Sequence, residues 1–178
     1  MTETNAISKR RIVFVMNPIS GTQGKRTILR YIHQLMDRER CDYQLVRTKY
    51  AGHATEIAKQ AVDEGVDMVV AIGGDGTINE IAKALVHSKT ALGIIPCGSG
   101  NGLARHLRIP MDPKAAVELI NSGKRLCIDY GKINGLPFFC TCGVGFDAFV
   151  SLKFADSGKR GLLKKKKNTL HESLTYKP

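Results

Sequence analysis

Residues 68–85, MVVAIGGDGTINEIAKAL, constrain the fold more than any other stretch of the chain. Residues 68–72 are all apolar, and a strand with no side chain suited to water must be covered on both faces, as in a parallel sheet between helical layers. Gly73 and Gly74 break the run. Thr77 followed by Glu80 reads as a capping box, and Ile78, Ile81, Ala82 and Leu85 recur at the spacing that gives a helix one apolar face. The expectation is a buried strand that turns sharply into a capped helix. Gly73, Gly74 and Gly76 let a ligand approach the main chain in that turn, and the helix start behind them offers unpaired N–H groups at the positive end of a dipole, which suits a phosphate. Asp75 stands against that reading. A carboxylate there repels phosphate unless it binds a metal ion or takes a proton from a substrate, and otherwise the turn is an ordinary one whose aspartate caps a helix.

The same grammar recurs along the chain. Residues 12–16 form a second all-apolar run, ended by Asn17, Pro18, Ile19, Ser20 and Gly21, after which Gly24, Lys25 and Arg26 lead into a helix with Ile28, Ile32, Leu35 and Met36 on one side. A Walker A loop needs glycine at position 19 and Ser or Thr at position 26; Ile19 and Arg26 exclude it. Residues 43–48 alternate like a strand nearer a sheet edge, and residues 53–62 read as a helix that Gly65 ends. Residues 91–95 give a further strand, followed by Pro96, Cys97, Gly98, Ser99, Gly100, Asn101 and Gly102 and a short helix over 103–107. Asp112 and Pro113 are an N-cap and first-turn proline for a helix that runs to Asn121 and stops at Gly123. Four or more such alternations predict a parallel α/β sheet, whose ligands bind beyond the carboxyl ends of the strands. The loops holding residues 17–21, Thr48, residues 73–77 and residues 98–101 then share one edge, and a phosphate-bearing ligand is the expectation.

After Gly123 the pattern changes. Residues 126–133 and 136–141 read as apolar strands joined by Asn134 and Gly135, a strong hairpin signal. A second, antiparallel domain is expected to open near residue 125, and the chain stops roughly fifty residues later, short of a complete sheet. The division read from sequence is therefore residues 1–124 and residues 125–178, with the chain as a truncated form of a longer one.

Composition bounds the partners. The net charge is +11, and from Lys153 onward eight Lys or Arg face two acids, so the surplus is concentrated in the tail, with a lysine run at 164–167. Such a patch suits an anionic membrane surface or nucleic acid, or is a solvated face. Aromatic residues make up 6% and show no stacking pattern among the lysines, which argues against nucleic acid. No apolar run reaches the roughly 18 residues of a membrane span and the first residues lack a signal-peptide core, so a cytoplasmic location is expected. Five cysteines, without a CxxC spacing, are expected to be free thiols.

NPISG at residues 17–21, GGDGTINE at 73–80 and PCGSGNGLAR at 96–105, in this order, resemble the diacylglycerol kinase catalytic domain shared by diacylglycerol, sphingosine and ceramide kinases and bacterial lipid kinases. The resemblance implies a phosphofructokinase-like and NAD kinase-like nucleotide domain followed by a β-sandwich that helps to hold the lipid, with ATP in the cleft between them. It implies a lipid kinase that passes the γ-phosphate of ATP to a hydroxyl of diacylglycerol or a sphingoid base. Carried onto this chain, Gly74, Asp75, Gly76, Thr77, Ile78, Asn79 and Glu80 are the main ATP contact, Thr48 and Ser99 touch the nucleotide, and Asn17, Ser20 and Gly21 match the first motif. Gly98 and Asn101 belong to the third. Asp75 is the implied catalytic residue, either through the Mg2+ network or as the base for the lipid hydroxyl, and no residue is assigned as a metal ligand. Lys159 and Arg160 are candidates to supply positive charge to the nucleotide, or are solvated. Many bacterial members carry Thr and Asp where this chain has Ser99 and Gly102; serine keeps the hydroxyl, and the carboxylate is lost. The implied partners are the lipid substrate, a peripheral membrane surface and, through open strand edges, a second copy of the chain. The competing expectations are an NAD kinase-like enzyme, which shares the GGDG turn, and a catalytically silent nucleotide- or membrane-binding module.

Overall fold

The structure, a computed structural model, describes residues 8–20, 24–146 and 148–150. Gly21, Lys159, Arg160 and the lysine run at 164–167 lie outside the described residues. The chain divides into two units, Met1–Cys140 and Thr141–Pro178, and the alternating strands and helices lie within the first.

The alternation of apolar runs and amphipathic stretches folds as its periods require. Strands β1 (Arg10–Met16), β2 (Cys41–Arg47), β3 (Met68–Gly73) and β4 (Ala91–Pro96) alternate with helices α1 (Lys25–Leu35), α2 (His53–Asp63) and α3 (Asp75–Leu85), and α4 (Gly102–His106) and α5 (Pro113–Ser122) follow. The four strands form one all-parallel sheet in the order β2-β1-β3-β4. Every residue of β3 is buried, whereas β2 has only Cys41 buried and otherwise mixes half-buried with exposed positions, as an edge strand does.

Because successive side chains of a strand point to opposite faces, each interior strand supplies two cores. Ile12, Phe14, Met16, Val70 and Ile72 pack with Ile28 and Ile32 of α1 and Ala116, Val117 and Ile120 of α5. On the other face Val13, Val15, Val69 and Ala71 meet Ala54, Ala58 and Ala61 of α2 and Ile78, Ile81 and Leu85 of α3. Each large side chain so enclosed contributes about 1.5–3 kcal/mol, so the helices are fixed against the sheet by packing, and the loops at its carboxyl edge start from rigid ends.

The helix ends follow the chemistry of their residues. Asp112 accepts a hydrogen bond from Ala115 N at 2.9 Å, with Pro113 in the first turn. At the end of α2, Gly65 takes a left-handed φ of 67°, its N–H donates to Val62 O, and Val66 N donates to Ala61 O.

The hairpin differs in extent from expectation. Asn134 and Gly135 do turn the chain, with φ of 50° and 79°, and the strands are antiparallel. However, β5 (Gly131–Ile133) and β6 (Leu136–Phe138) pair over only three residues each, in place of the eight and six expected. Among the described residues the pair has no third strand, and a lone two-stranded ribbon has too little cover to extend its ladder; Leu126 and Leu136 are accordingly 78% and 64% exposed.

Candidate functional site

All four strands run the same way, so the loops after β1, β2, β3 and β4 share one edge of the sheet. The order β2-β1-β3-β4 reverses direction between β1 and β3, which makes the gap between their carboxyl ends the switch point where ligands of such sheets bind. Hydrogen bonds stitch this rim together. Asn17 N donates to Ile72 O, Thr48 N to Met16 O and Cys97 N to Gly73 O.

The turn after β3 departs from expectation in one detail. Thr77 and Glu80 form no capping box: α3 already begins at Asp75, and Gly74 is its N-cap, in extended conformation and without a side-chain cap. Thr77 is inside the first turn, and its Oγ1 accepts from Asn17 Nδ2 at 3.3 Å across the switch point. Glu80 instead reaches the start of α2, where Oε2 accepts from Gly52 N at 3.1 Å and the main-chain oxygen accepts from Thr55 Oγ1 at 3.0 Å. Glu80 thus caps a neighbouring helix in place of its own.

Starting α3 three residues early opens the site. Ile78 N is the first amide of α3 with a partner, Gly74 O at 3.1 Å, so the N–H groups of Asp75, Gly76 and Thr77 find none among the described residues. A Cβ built on Gly76 meets nothing within 4 Å, which leaves an open approach to those amides. A Cβ on Gly98 would stand 2.7 Å from Gly74 Cα, so the loops after β3 and β4 touch backbone to backbone and tolerate no side chain between them.

Asp75 joins the two loops. Its Oδ2 accepts from Asn101 N at 2.8 Å and its Oδ1 from Gly102 N at 2.6 Å, so one carboxylate at the start of α3 holds the start of α4. The side chain remains exposed. Asn101 is left-handed, with φ of 54°, and is turned inward: Oδ1 accepts from Gly98 N at 2.9 Å and Nδ2 donates to Gly98 O at 2.7 Å. Ser99, by contrast, is exposed and its hydroxyl has no partner among the described residues.

Of the residues singled out from sequence, Asn17, Ser20, Thr48, Gly74, Asp75, Gly76, Thr77, Gly98, Ser99 and Asn101 all lie on this rim. Ser20 Oγ donates to Asn17 O at 3.0 Å. Ile78 faces the other way, with its side chain in the core and its N–H inside the helix. Asn79 and Glu80 are half-buried on α3. The rim also includes a residue that the motifs do not single out: Lys25, first residue of α1, whose Nζ donates to Asn17 O at 2.5 Å. Its only signal in the sequence is the Gly24-Lys25 step that opens the helix. No group of three His, Cys, Asp or Glu gathers to hold a metal ion among the described residues.

The sequence profile of the diacylglycerol kinase catalytic domain matches residues 11–133, most of the chain and all of the rim. The chain belongs to that family. It is 36% identical over 140 residues to the diacylglycerol kinase of Bacillus subtilis, an alignment covering 76% of this chain and 46% of the relative. With the diacylglycerol kinase of Staphylococcus aureus it shares 34% identity over 135 residues, 73% of this chain and 42% of that one. The crystal structure of a diacylglycerol kinase from Bacillus anthracis superposes with a TM-score of 0.67 at 29% identity, over 72% of this chain and 48% of that protein. This diacylglycerol kinase catalytic domain chain thus spans about half the length of the relatives it matches, and the parallel sheet followed by a small antiparallel one is the architecture expected from its motifs.

Proposed function

We propose that the protein is an ATP-dependent lipid kinase that transfers the γ-phosphate of ATP to a hydroxyl of diacylglycerol or of a sphingoid base. The observation that carries this reading is the junction at Asp75, where an exposed carboxylate locks the loop after β4 beside the open amides of α3. Phosphoryl transfer asks a protein mainly to position and to neutralise charge. The amides of Asp75, Gly76 and Thr77 hold phosphate oxygens, Gly74 and Gly98 keep the two loops close enough to do so, and the hydroxyls of Ser99 and Thr48 contact the nucleotide. Asn17 and Ser20 line the loop after β1, and Gly21 is assigned to the same nucleotide contact by its motif. Ile78, Asn79 and Glu80 support the turn from below.

Asp75 orients the attacking lipid hydroxyl or faces Mg2+. Magnesium keeps several waters and binds through one or two carboxylates together with substrate phosphates, so a rim with one such carboxylate and no protein cage among its described residues fits an ion carried in with the nucleotide. Residues 1–124 then form the ATP-binding domain and residues 125–178 open a β-rich lipid-binding domain, for which the exposed Leu126 and Leu136 are suitable apolar surface. In this reading the protein works in the cytoplasm at a membrane surface that presents its lipid; no helix among the described residues is long and apolar enough to cross a membrane. A homo-oligomer through open strand edges belongs to the same proposal.

The test is incubation of the protein with γ-labelled ATP, Mg2+ and vesicles containing diacylglycerol or a long-chain base. Label is expected in the lipid, dependent on Mg2+ and abolished in Asp75→Ala. Tight ATP binding without transfer to any lipid would leave a nucleotide-binding module in place of a kinase.

A further inference from the structure

The open amides at the start of α3 amount to a partial positive charge of about half a unit, while a nucleoside triphosphate brings several negative charges and Asp75 adds one more. A protein cation at the rim would offset part of that charge beside any Mg2+ that the nucleotide brings, and Lys25 is placed to provide it. We propose that Lys25 supplies a side-chain cation to the polyphosphate of the nucleotide, beside the amides of α3; this rests on the nucleotide reading of the rim.

Three observations locate its ammonium over the switch point. Nζ donates to Asn17 O, at the carboxyl end of β1. The same Asn17 reaches Thr77 through its amide, so the ammonium is one residue removed from the open turn of α3. Burial raises the Cys97 thiol to about 11, and the Lys25 charge opposes that rise, which sets the ammonium within electrostatic reach of the residue that follows β4. Lys25 thus stands at the carboxyl end of β1, with its charge felt at the residue that follows β4.

Asn17 O is a neutral acceptor that also receives Ser20 Oγ at 3.0 Å, and a phosphate oxygen is a charge-assisted and stronger partner for an ammonium than such a carbonyl. Arg105, another cation of the rim, is fastened through Nε to Gly100 O at 2.9 Å in the loop after β4. The order strand, loop, lysine, helix is also that of the phosphate loops in which a helix-opening lysine reaches the outer phosphates. Ile19 and Arg26 break the Walker A pattern without removing this lysine from the rim.

The experiment measures binding of ATP with Mg2+, of inorganic triphosphate and of adenosine to the 178-residue chain by titration calorimetry. Lys25→Gln keeps a donor for Asn17 O and loses the charge; Lys25→Arg keeps both. Lys25→Gln is expected to weaken ATP and triphosphate about tenfold or more and to leave adenosine unchanged, while Lys25→Arg stays near the parent protein. Lys59→Gln, on the exposed side of α2, serves as the surface control. ATP binding by Lys25→Gln equal to the parent's overturns the assignment. An equal loss for ATP and adenosine overturns it as well, because it marks a lysine that shapes the loop. A parent chain that binds neither ATP nor triphosphate removes the nucleotide reading itself, and the Lys25 assignment with it.

Discussion

Gly76→Ala separates what the turn after β3 does for stability from what it does for binding. Gly76 is the second residue of α3, its φ is not in the left-handed region, and a Cβ added there meets nothing within 4 Å. Alanine is therefore unstrained, and by restricting the unfolded chain and favouring the helix it stabilises the fold by about 0.5 kcal/mol. In a domain of this size that raises the melting midpoint by about 2 °C. The same methyl group occupies the space through which a phosphate reaches the amides of Asp75, Gly76 and Thr77. Thermal unfolding followed by circular dichroism, with and without ATP and Mg2+, reads both effects. The unliganded midpoint should rise, and the further rise that ATP gives the parent protein should shrink or vanish. A variant that keeps the full ATP-induced rise refutes the use of those amides, and a variant that melts early without ligand refutes the open geometry at Gly76.

The neighbouring glycine behaves in the opposite way. Gly98→Ala drives a methyl to 2.7 Å from Gly74 Cα and 2.8 Å from Asn101 Oδ1, one contact being backbone that cannot swing aside, and is expected to cost about 1–3 kcal/mol in urea unfolding. Glu80→Ala removes the acceptor that Gly52 N uses at the start of α2 and should cost about 1 kcal/mol, with Glu80→Gln milder because it retains an oxygen. Cys97 gives a pH signature: burial lifts its thiol from 9.0 to about 11, so the folded state holds a proton that the unfolded state releases. Stability is then complete below pH 9 and declines by about 2 kcal/mol as pH climbs towards 11, a slope that Cys97→Ala should flatten in urea titrations at pH 8 and 10.5.

The chain's order of elements was readable because it depends on local pattern. Runs such as residues 12–16 and 68–72 carry their burial in their composition, and the Asp112-Pro113 and Asn134-Gly135 pairs carry their turns in their backbone preferences. What sequence could not supply were contacts between residues far apart along it. Thr77 and Glu80 match a capping box by spacing, yet each is claimed by a distant partner, Asn17 and Gly52, and the helix starts where the glycine turn permits. Both ends of the Asn101 side chain close on Gly98, a contact that the spacing of the third motif does not announce. Strand length in the hairpin failed for a related reason: an apolar run becomes a long strand only if further strands cover it, and that depends on chain elsewhere.

Asp75 shows how a long-range contact changes the meaning of an experiment. From sequence its carboxylate has two possible jobs, orienting a hydroxyl or facing Mg2+, and Asp75→Asn would be the usual way to remove the charge while keeping the shape. In the structure both oxygens already accept main-chain N–H groups, from Asn101 at 2.8 Å and Gly102 at 2.6 Å. An asparagine offers one oxygen and one NH2, so whichever way it turns, a donor faces a donor and one bond is lost. Such a bond to a charged acceptor contributes about 1.5–3 kcal/mol, and at this exposed position water recovers part of it, which leaves a local loosening of about 1 kcal/mol. Amide hydrogen exchange followed by NMR should therefore show Asn101 or Gly102 exchanging several-fold faster in Asp75→Asn, with the β3 amides unchanged. If both amides keep their parent rates, the carboxylate does not hold the loop after β4, and any loss of turnover in the variant belongs to chemistry alone. If they exchange faster, lost turnover combines loop displacement with lost charge, and the two are separated only by a variant, such as Gly102→Ala, that disturbs the loop while leaving the carboxylate in place.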